Sequence, residues 1–163
     1  MANLLRGLDR LIGQFVAAAE WLALPLIVLL FLQWPLRDVV RVFSREANDL
    51  GQVVFAFFVA ASVTAATRAK THLAADFLAR HYGVRVRRRL YQFGTIAGLL
   101  PWALFVLIAG RATVFSSIHD LEAFQDSGNP GYFLIKLALW VMALLILGQS
   151  AVDIFRVPSA DKM

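Results

Sequence analysis

Polar and apolar positions along this chain fall into long blocks rather than into alternation. Trp21–Leu36 contains no Asp, Glu, Lys or Arg, and its apolar pattern extends back past Glu20 to Leu11. Leu50–Thr67 and Leu90–Gly110 are equally free of charge. So is Leu137–Val152, which lengthens to Tyr132–Val152 if Lys136 carries its ammonium group out to the interface. Crossing the hydrocarbon of a bilayer takes roughly 20 mostly apolar residues in a helix. The pattern therefore predicts an all-α integral membrane protein with four transmembrane helices, at about 15–36, 50–67, 90–110 and 132–152, in a single membrane domain covering 1–163. No span alternates with period two, which speaks against a lipid-facing barrel. The connections are short, so consecutive helices should lie antiparallel and adjacent.

Shorter patterns lie between the blocks. Leu4, Leu8, Leu11, Ile12 and Phe15 share one helical face, with Arg6, Arg10 and Gln14 off it. This segment is either an amphipathic interfacial helix or the tilted start of the first span. Leu73, Ala74, Phe77 and Leu78 mark a second short amphipathic helix, ending near Gly83. Pro25 and Pro101 are expected to kink spans one and three. Ser127-Gly128-Asn129-Pro130-Gly131 predicts a turn before span four. No small-residue cleavage site follows span one, so it is read as retained rather than as a cleaved signal peptide.

Composition narrows the class. Hydrophobic residues make up 60% and charged residues 17% of the chain, against about 45–50% and 25% in soluble domains. A soluble enzyme of this size could not bury so much apolar surface. The absence of cysteine excludes disulfides, thiolate nucleophiles, Cys-ligated zinc and iron–sulfur clusters. The net charge is +5, but the placement of the charges says more than their sum. Arg68, Lys70, Arg80, Arg85, Arg87, Arg88 and Arg89 lie between spans two and three, and Arg6, Arg10, Arg156 and Lys162 lie near the termini. The other side holds only Arg37, Arg41, Arg45, Arg111 and Lys136. This asymmetry predicts both termini in the cytoplasm. The run Arg85–Arg89 suits anionic lipid headgroups. With no nucleic-acid fold beside it, it does not point to nucleic acid.

Candidate chemistry is sparse. Glu20 lies near the cytoplasmic start of span one, and at the bilayer centre such a residue would cost about 2.5–3.5 kcal/mol. A structural contact with Arg or Lys of a neighbour is favoured over a proton or cation site. His72, His81 and His119 fall in connections, not on facing helices as a transmembrane haem requires. His119, Asp120 and Glu122 lack the spacing of a helical metal site. No catalytic, cofactor-binding or metal-binding residues are predicted, and the chain is not read as an enzyme. Packing signals are clearer. Ala56, Ala60 and Thr64 form a small-residue stripe on span two, and Gly94 and Gly98 a GxxxG on span three, for contact within the chain or with a second membrane protein. Arg37, Arg41 and Arg45 recur every four residues after span one, and Asp49 extends the stripe and can pair with Arg45. They form a solvated helix end or a docking surface for an acidic soluble partner.

The run Arg45-Glu46-Ala47-Asn48-Asp49-Leu50-Gly51 leads into span two, which exits through Thr67-Arg68-Ala69-Lys70-Thr71-His72-Leu73-Ala74-Ala75-Asp76-Phe77-Leu78. This resembles the small membrane subunit of tripartite ATP-independent periplasmic (TRAP) transporters, the DctQ-like family. That family has an acidic residue ahead of span two and an Arg-x-x-x-His-x-x-x-Asp pattern after it, here Glu46 and Arg68, His72 and Asp76. Lys70-Thr71 stands where a glycine is common before the histidine. Asn129-Pro130-Gly131 before the last span also fits, and the resemblance runs from about Gln14 to Arg156.

The resemblance implies an inner-membrane complex in which a soluble periplasmic binding protein captures an organic acid. A large membrane subunit then carries it inward on a sodium gradient, braced by the small subunit. Arg68, His72 and Asp76 become a cytoplasmic structural and interface cluster, with Asp76 accepting from Arg68 or His72. Arg37, Arg41, Arg45, Glu46 and Asp49 become candidates for periplasmic docking. Two other readings remain. A self-contained small multidrug-type exporter would need a membrane-embedded acid, for which only Glu20 offers itself. A membrane anchor for a redox enzyme would be expected to carry haem ligands.

Overall fold

The computed structural model describes residues 2–39, 44–69 and 82–155. The fold is all-α, built from α1 (Ala2–Glu20), α2 (Ala23–Asp38), α3 (Arg45–Ala69), α4 (Val84–Gly94), a π-helical turn (Thr95–Leu99), α5 (Leu100–His119) and α6 (Tyr132–Phe155). Four helical stretches are long and apolar enough to cross a membrane: Asn3–Phe31, Arg45–Ala69, Arg89–His119 and Tyr132–Phe155. The short amphipathic helix expected around Leu73–Leu78 lies outside the described residues.

Pro25 and Pro101 each sit just after an interruption, for the same reason. Proline has no N–H to give the carbonyl four residues back, and its ring crowds that carbonyl. Before Pro25 the helix opens at Trp21–Leu22. There Trp21 and Leu22 donate to Ala18 and Ala19, three residues back, and the Trp21 carbonyl accepts from Leu24 instead. Before Pro101 the chain widens into the π turn, where the Leu100 N–H reaches the Thr95 carbonyl five residues back. Side chains beyond each break are thereby re-aimed around the helix axis.

From Ala2 to Asp38 the first two helices would stretch about 55 Å at 1.5 Å per residue, well beyond the roughly 30 Å of a hydrocarbon core. Their register against α3 says which part crosses. A Cβ at Gly13 would lie 3.3 Å from Arg68 Nη2, and one at Gly51 would lie 3.9 Å from Gln33 Nε2. So Gly13 to Gln33 runs antiparallel beside Arg68 to Gly51, matched nearly residue for residue.

The bundle is organised around α6, which packs along α3 on one side and α5 on the other, while α1 lies against both α3 and α6. Ala103, Ala143 and Ile146 are its fully buried centre, surrounded by Val63, Leu99, Val106, Leu107, Met142 and Leu147. Small residues suit this role, because lipid rewards close backbone approach rather than burial of bulk. Trp140 spans the α5–α6 contact, donating from Nε1 to the Leu107 carbonyl at 3.1 Å and meeting Phe115 edge to face. Outward faces are apolar: Ile108, Phe105 and Phe31 are 73%, 68% and 66% exposed. In water that would be a defect; in a membrane protein it is the surface that lipid or another subunit covers.

Candidate functional site

The polar groups of the bundle collect at its two ends. At the end holding residues 9, 68 and 153, Arg68 comes from the last turn of α3 and points across to α1 and α6. Its Nη1 donates to the Asp9 carbonyl at 3.1 Å, to Asp9 Oδ1 at 2.9 Å and to Gln149 Oε1 at 2.9 Å. Gln149 in turn donates from Nε2 to Asp153 Oδ1 at 3.2 Å, and Tyr91 of α4 donates to Asp153 Oδ2 at 3.1 Å. One chain of hydrogen bonds thus ties α1, α3, α6 and α4. Gln149 is buried and the side chains of Arg68 and Asp9 are 27% and 17% exposed, so the chain is shielded enough for its bonds to matter.

The close approach that admits α1 is made at Gly148, where a Cβ would lie 3.2 Å from Ile12 Cδ1 and 3.7 Å from Leu8 Cδ1. Among the described residues, Ser150 Oγ is the buried side-chain polar atom with no hydrogen-bond partner.

At the other end, residues 120–131 form an ordered loop. Helix α5 closes with Leu121 in the left-handed region (φ 45). The Glu122 N–H reaches the Ser117 carbonyl at 3.0 Å and the Leu121 N–H reaches Ile118 at 3.2 Å, the paired bonds of a Schellman ending. That ending carries Glu122 back over Ser117 and Lys136, both of which donate to its carboxylate. The Lys136 hydrogen bond first, and the Ser117 one after it, hold the Glu122 carboxyl below its ordinary value of 4.5. Lys136 also stands 5.4 Å over the Tyr132 ring, and Phe124 is buried edge to face against Tyr132. Gly131 has φ +147, a conformation that strains any residue with a Cβ, and a Cβ there would crowd the Phe124 ring at 3.3 Å.

The residues predicted from sequence fall on both ends and on the faces between. Arg68 anchors the first cluster through Asp9 and Gln149; His72 and Asp76, expected beside it, lie outside the described residues. Arg45 donates to the Asp126 carbonyl at 3.0 Å and Asp49 is buried, accepting from Ser127. The two therefore hold the loop rather than each other. Glu46 accepts from Ser44 at 3.1 Å, while the Ser44 hydroxyl caps α3 by accepting from the Ala47 N–H at 3.2 Å. Arg37 lies in the last turns of α2; its side chain and all of Arg41 lie outside the described residues.

Of the small-residue stripe, Thr64 and Ala60 are buried, with Thr64 Oγ1 bonded to the Ala60 carbonyl at 2.8 Å. Ala56 and Ala60 line an open apolar groove of about 350 Å³ between α3 and α6, with Phe55, Val59, Leu139 and Met142. Gly94 and Gly98 meet nothing within 4 Å of a built Cβ, so the close helix approaches of this chain lie elsewhere, at Gly13 and Gly148.

Sequence reasoning passed over Asp9, Tyr91, Gln149 and Asp153. Gln149 and Asp153 were the visible signal: two polar residues four apart at the end of an otherwise apolar span. Among the described residues no group of three or more His, Asp or Glu side chains could hold a metal ion. The exposed pair His119 and Asp120 stands alone at 3.0 Å.

A family model described as "Tripartite ATP-independent periplasmic transporters, DctQ component" matches residues 26–158. No curated protein and no solved structure matches the chain.

Proposed function

The chain belongs to the DctQ family, the DctQ component of tripartite ATP-independent periplasmic transporters, and from that premise we propose that it is the static scaffold of such a transporter. As a small permease subunit it is a multi-pass protein of the inner membrane. In this reading it binds and stabilises a large membrane subunit that moves the solute, an organic acid delivered by a periplasmic binding protein and driven inward by sodium. Eleven of the sixteen Lys and Arg lie on the side of the termini, which supports placing both termini and the Arg68 cluster in the cytoplasm and the 120–131 loop in the periplasm.

The observation that carries the scaffold reading is the bonding of Arg68 to Asp9 and Gln149. A subunit that opened and closed around a solute would keep polar groups free in its interior for ligand or ion. Here the charged group that reaches furthest between helices is spent on locking α1, α3 and α6 to one another. Arg45 and Asp49, fastened to the loop, support a shaped periplasmic surface on which a binding protein can seat.

Reconstitution tests the proposal. Vesicles containing this chain alone should take up no solute. Vesicles containing it with the large subunit and the binding protein should do so, and omitting this chain from that mixture should abolish uptake. Transport by the lone chain would refute the scaffold role.

A further inference from the structure

The register of the first span places Glu20 inside the membrane and facing outward. Gly13 stands beside Arg68 at the end of the bundle, and Glu20 is seven residues further on, about 10 Å deeper at 1.5 Å per residue. A glutamate has too short a stem to carry its carboxyl back that far, unlike the long stems of Lys and Arg. Glu20 is exposed, and among the described residues nothing donates a hydrogen bond to it or pairs with it. It ends α1, immediately before the Trp21–Leu22 break that Pro25 imposes.

Beyond the break a ridge begins. Leu24, Ile27 and Phe31 follow at spacings of three and four on one side of α2 and are 57%, 60% and 66% exposed. An apolar ridge alone would suit lipid. A carboxyl group at its inner end does not, because hydrocarbon supplies neither a donor nor a counter-charge. Among the described residues no cation neutralises it, and a neighbouring subunit can supply one.

We propose that the ridge Glu20–Leu24–Ile27–Phe31 is the docking face for a transmembrane helix of the large subunit, and that this helix brings a lysine or arginine to the Glu20 carboxyl. The inference rests on the scaffold reading and deepens it by naming the surface and its chemistry. The apolar residues supply shape, and the ion pair sets depth and register, since one buried polar contact penalises every slipped arrangement.

The test uses the native complex. A photo-crosslinking amino acid at Leu24 or Ile27, which leaves Glu20 intact, should give an adduct with the large subunit identified by mass. Glu20→Lys should lower co-purification with the large subunit by about tenfold or more. Glu20→Leu separates docking from lipid exposure: a docking face loses co-purification, whereas a lipid-facing position tolerates leucine and keeps the complex. Adducts only with lipid or with a second copy of this chain would overturn the inference, as would an unimpaired Glu20→Leu complex. A wild-type preparation without any large subunit would defeat the scaffold reading itself. A wild-type complex indifferent to residue 20 would defeat only the docking face.

Discussion

Arg68 shows how much one side chain can organise at a membrane boundary. A guanidinium is a fork of fixed donors, and here one of its nitrogens serves acceptors on two helices. Truncation would take the Arg68 donor from Asp9 and from the buried Gln149 Oε1 together. Arg68→Ala should therefore cost about 1–3 kcal/mol, read as a lower thermal midpoint of the chain purified in detergent. Arg68→Lys should recover only part of it, because the lysine ammonium ends one bond short of the place that Nη1 occupies between α1 and α6. Gly148 makes the complementary point about volume. The nearest atom to its missing Cβ is the end of the Ile12 side chain, which can shift for a methyl group but not for an isobutyl group. Gly148→Ala should be nearly silent. Gly148→Leu should push α1 off α6 and cost about 1–3 kcal/mol by overpacking, measured in the same melting experiment.

Among the elements, the 120–131 loop and the broken first span behave differently from what their polarity suggests. The loop is rich in turn residues yet tightly bonded, through the Schellman ending of α5, buried Phe124, and the Glu122 contacts with Lys136 and Ser117. Its hold depends on pH with a definite sign. The Glu122 carboxyl titrates lower when folded than its ordinary value of 4.5, so the pair stabilises the loop fully above that value. The contribution is lost as pH falls through the lowered folded value. The protection of the loop's backbone amides against hydrogen exchange should accordingly fall below about pH 4.5, and Lys136→Met should weaken that step, leaving the part that Ser117 supplies. The first span owes its break to Pro25 and its register to Gly13 and Gln33. The turn of the helix at that break, rather than the hydropathy of the segment, decides which residues face α3 and which face outward.

For the whole molecule, orientation follows from charge and shape follows from contact. A reporter fused to the C-terminus should be active only on the cytoplasmic side, as the eleven Lys and Arg near the termini and between spans two and three require; activity on the periplasmic side would reverse every assignment of the two polar ends. The number of long apolar helices was legible in the sequence because hydropathy sums over contiguous residues and needs no knowledge of neighbours; their ends were not, the first running Asn3–Phe31 rather than 15–36. Both proline interruptions were legible for the same reason, since a missing N–H is a local fact. The partners of Arg68 were not. Asp9 lies 59 residues away from it and Gln149 lies 81 away, and only the packing of α1 and α6 against α3 brings them within reach. Gly94 and Gly98 had the spacing of a close helix contact, but the contact itself formed at Gly148, because a small residue permits approach without specifying who approaches. Sequence alone determined which stretches are apolar enough to lie in lipid; tertiary structure decided which polar groups meet, since such meetings depend on helix rotation and register that no single segment encodes.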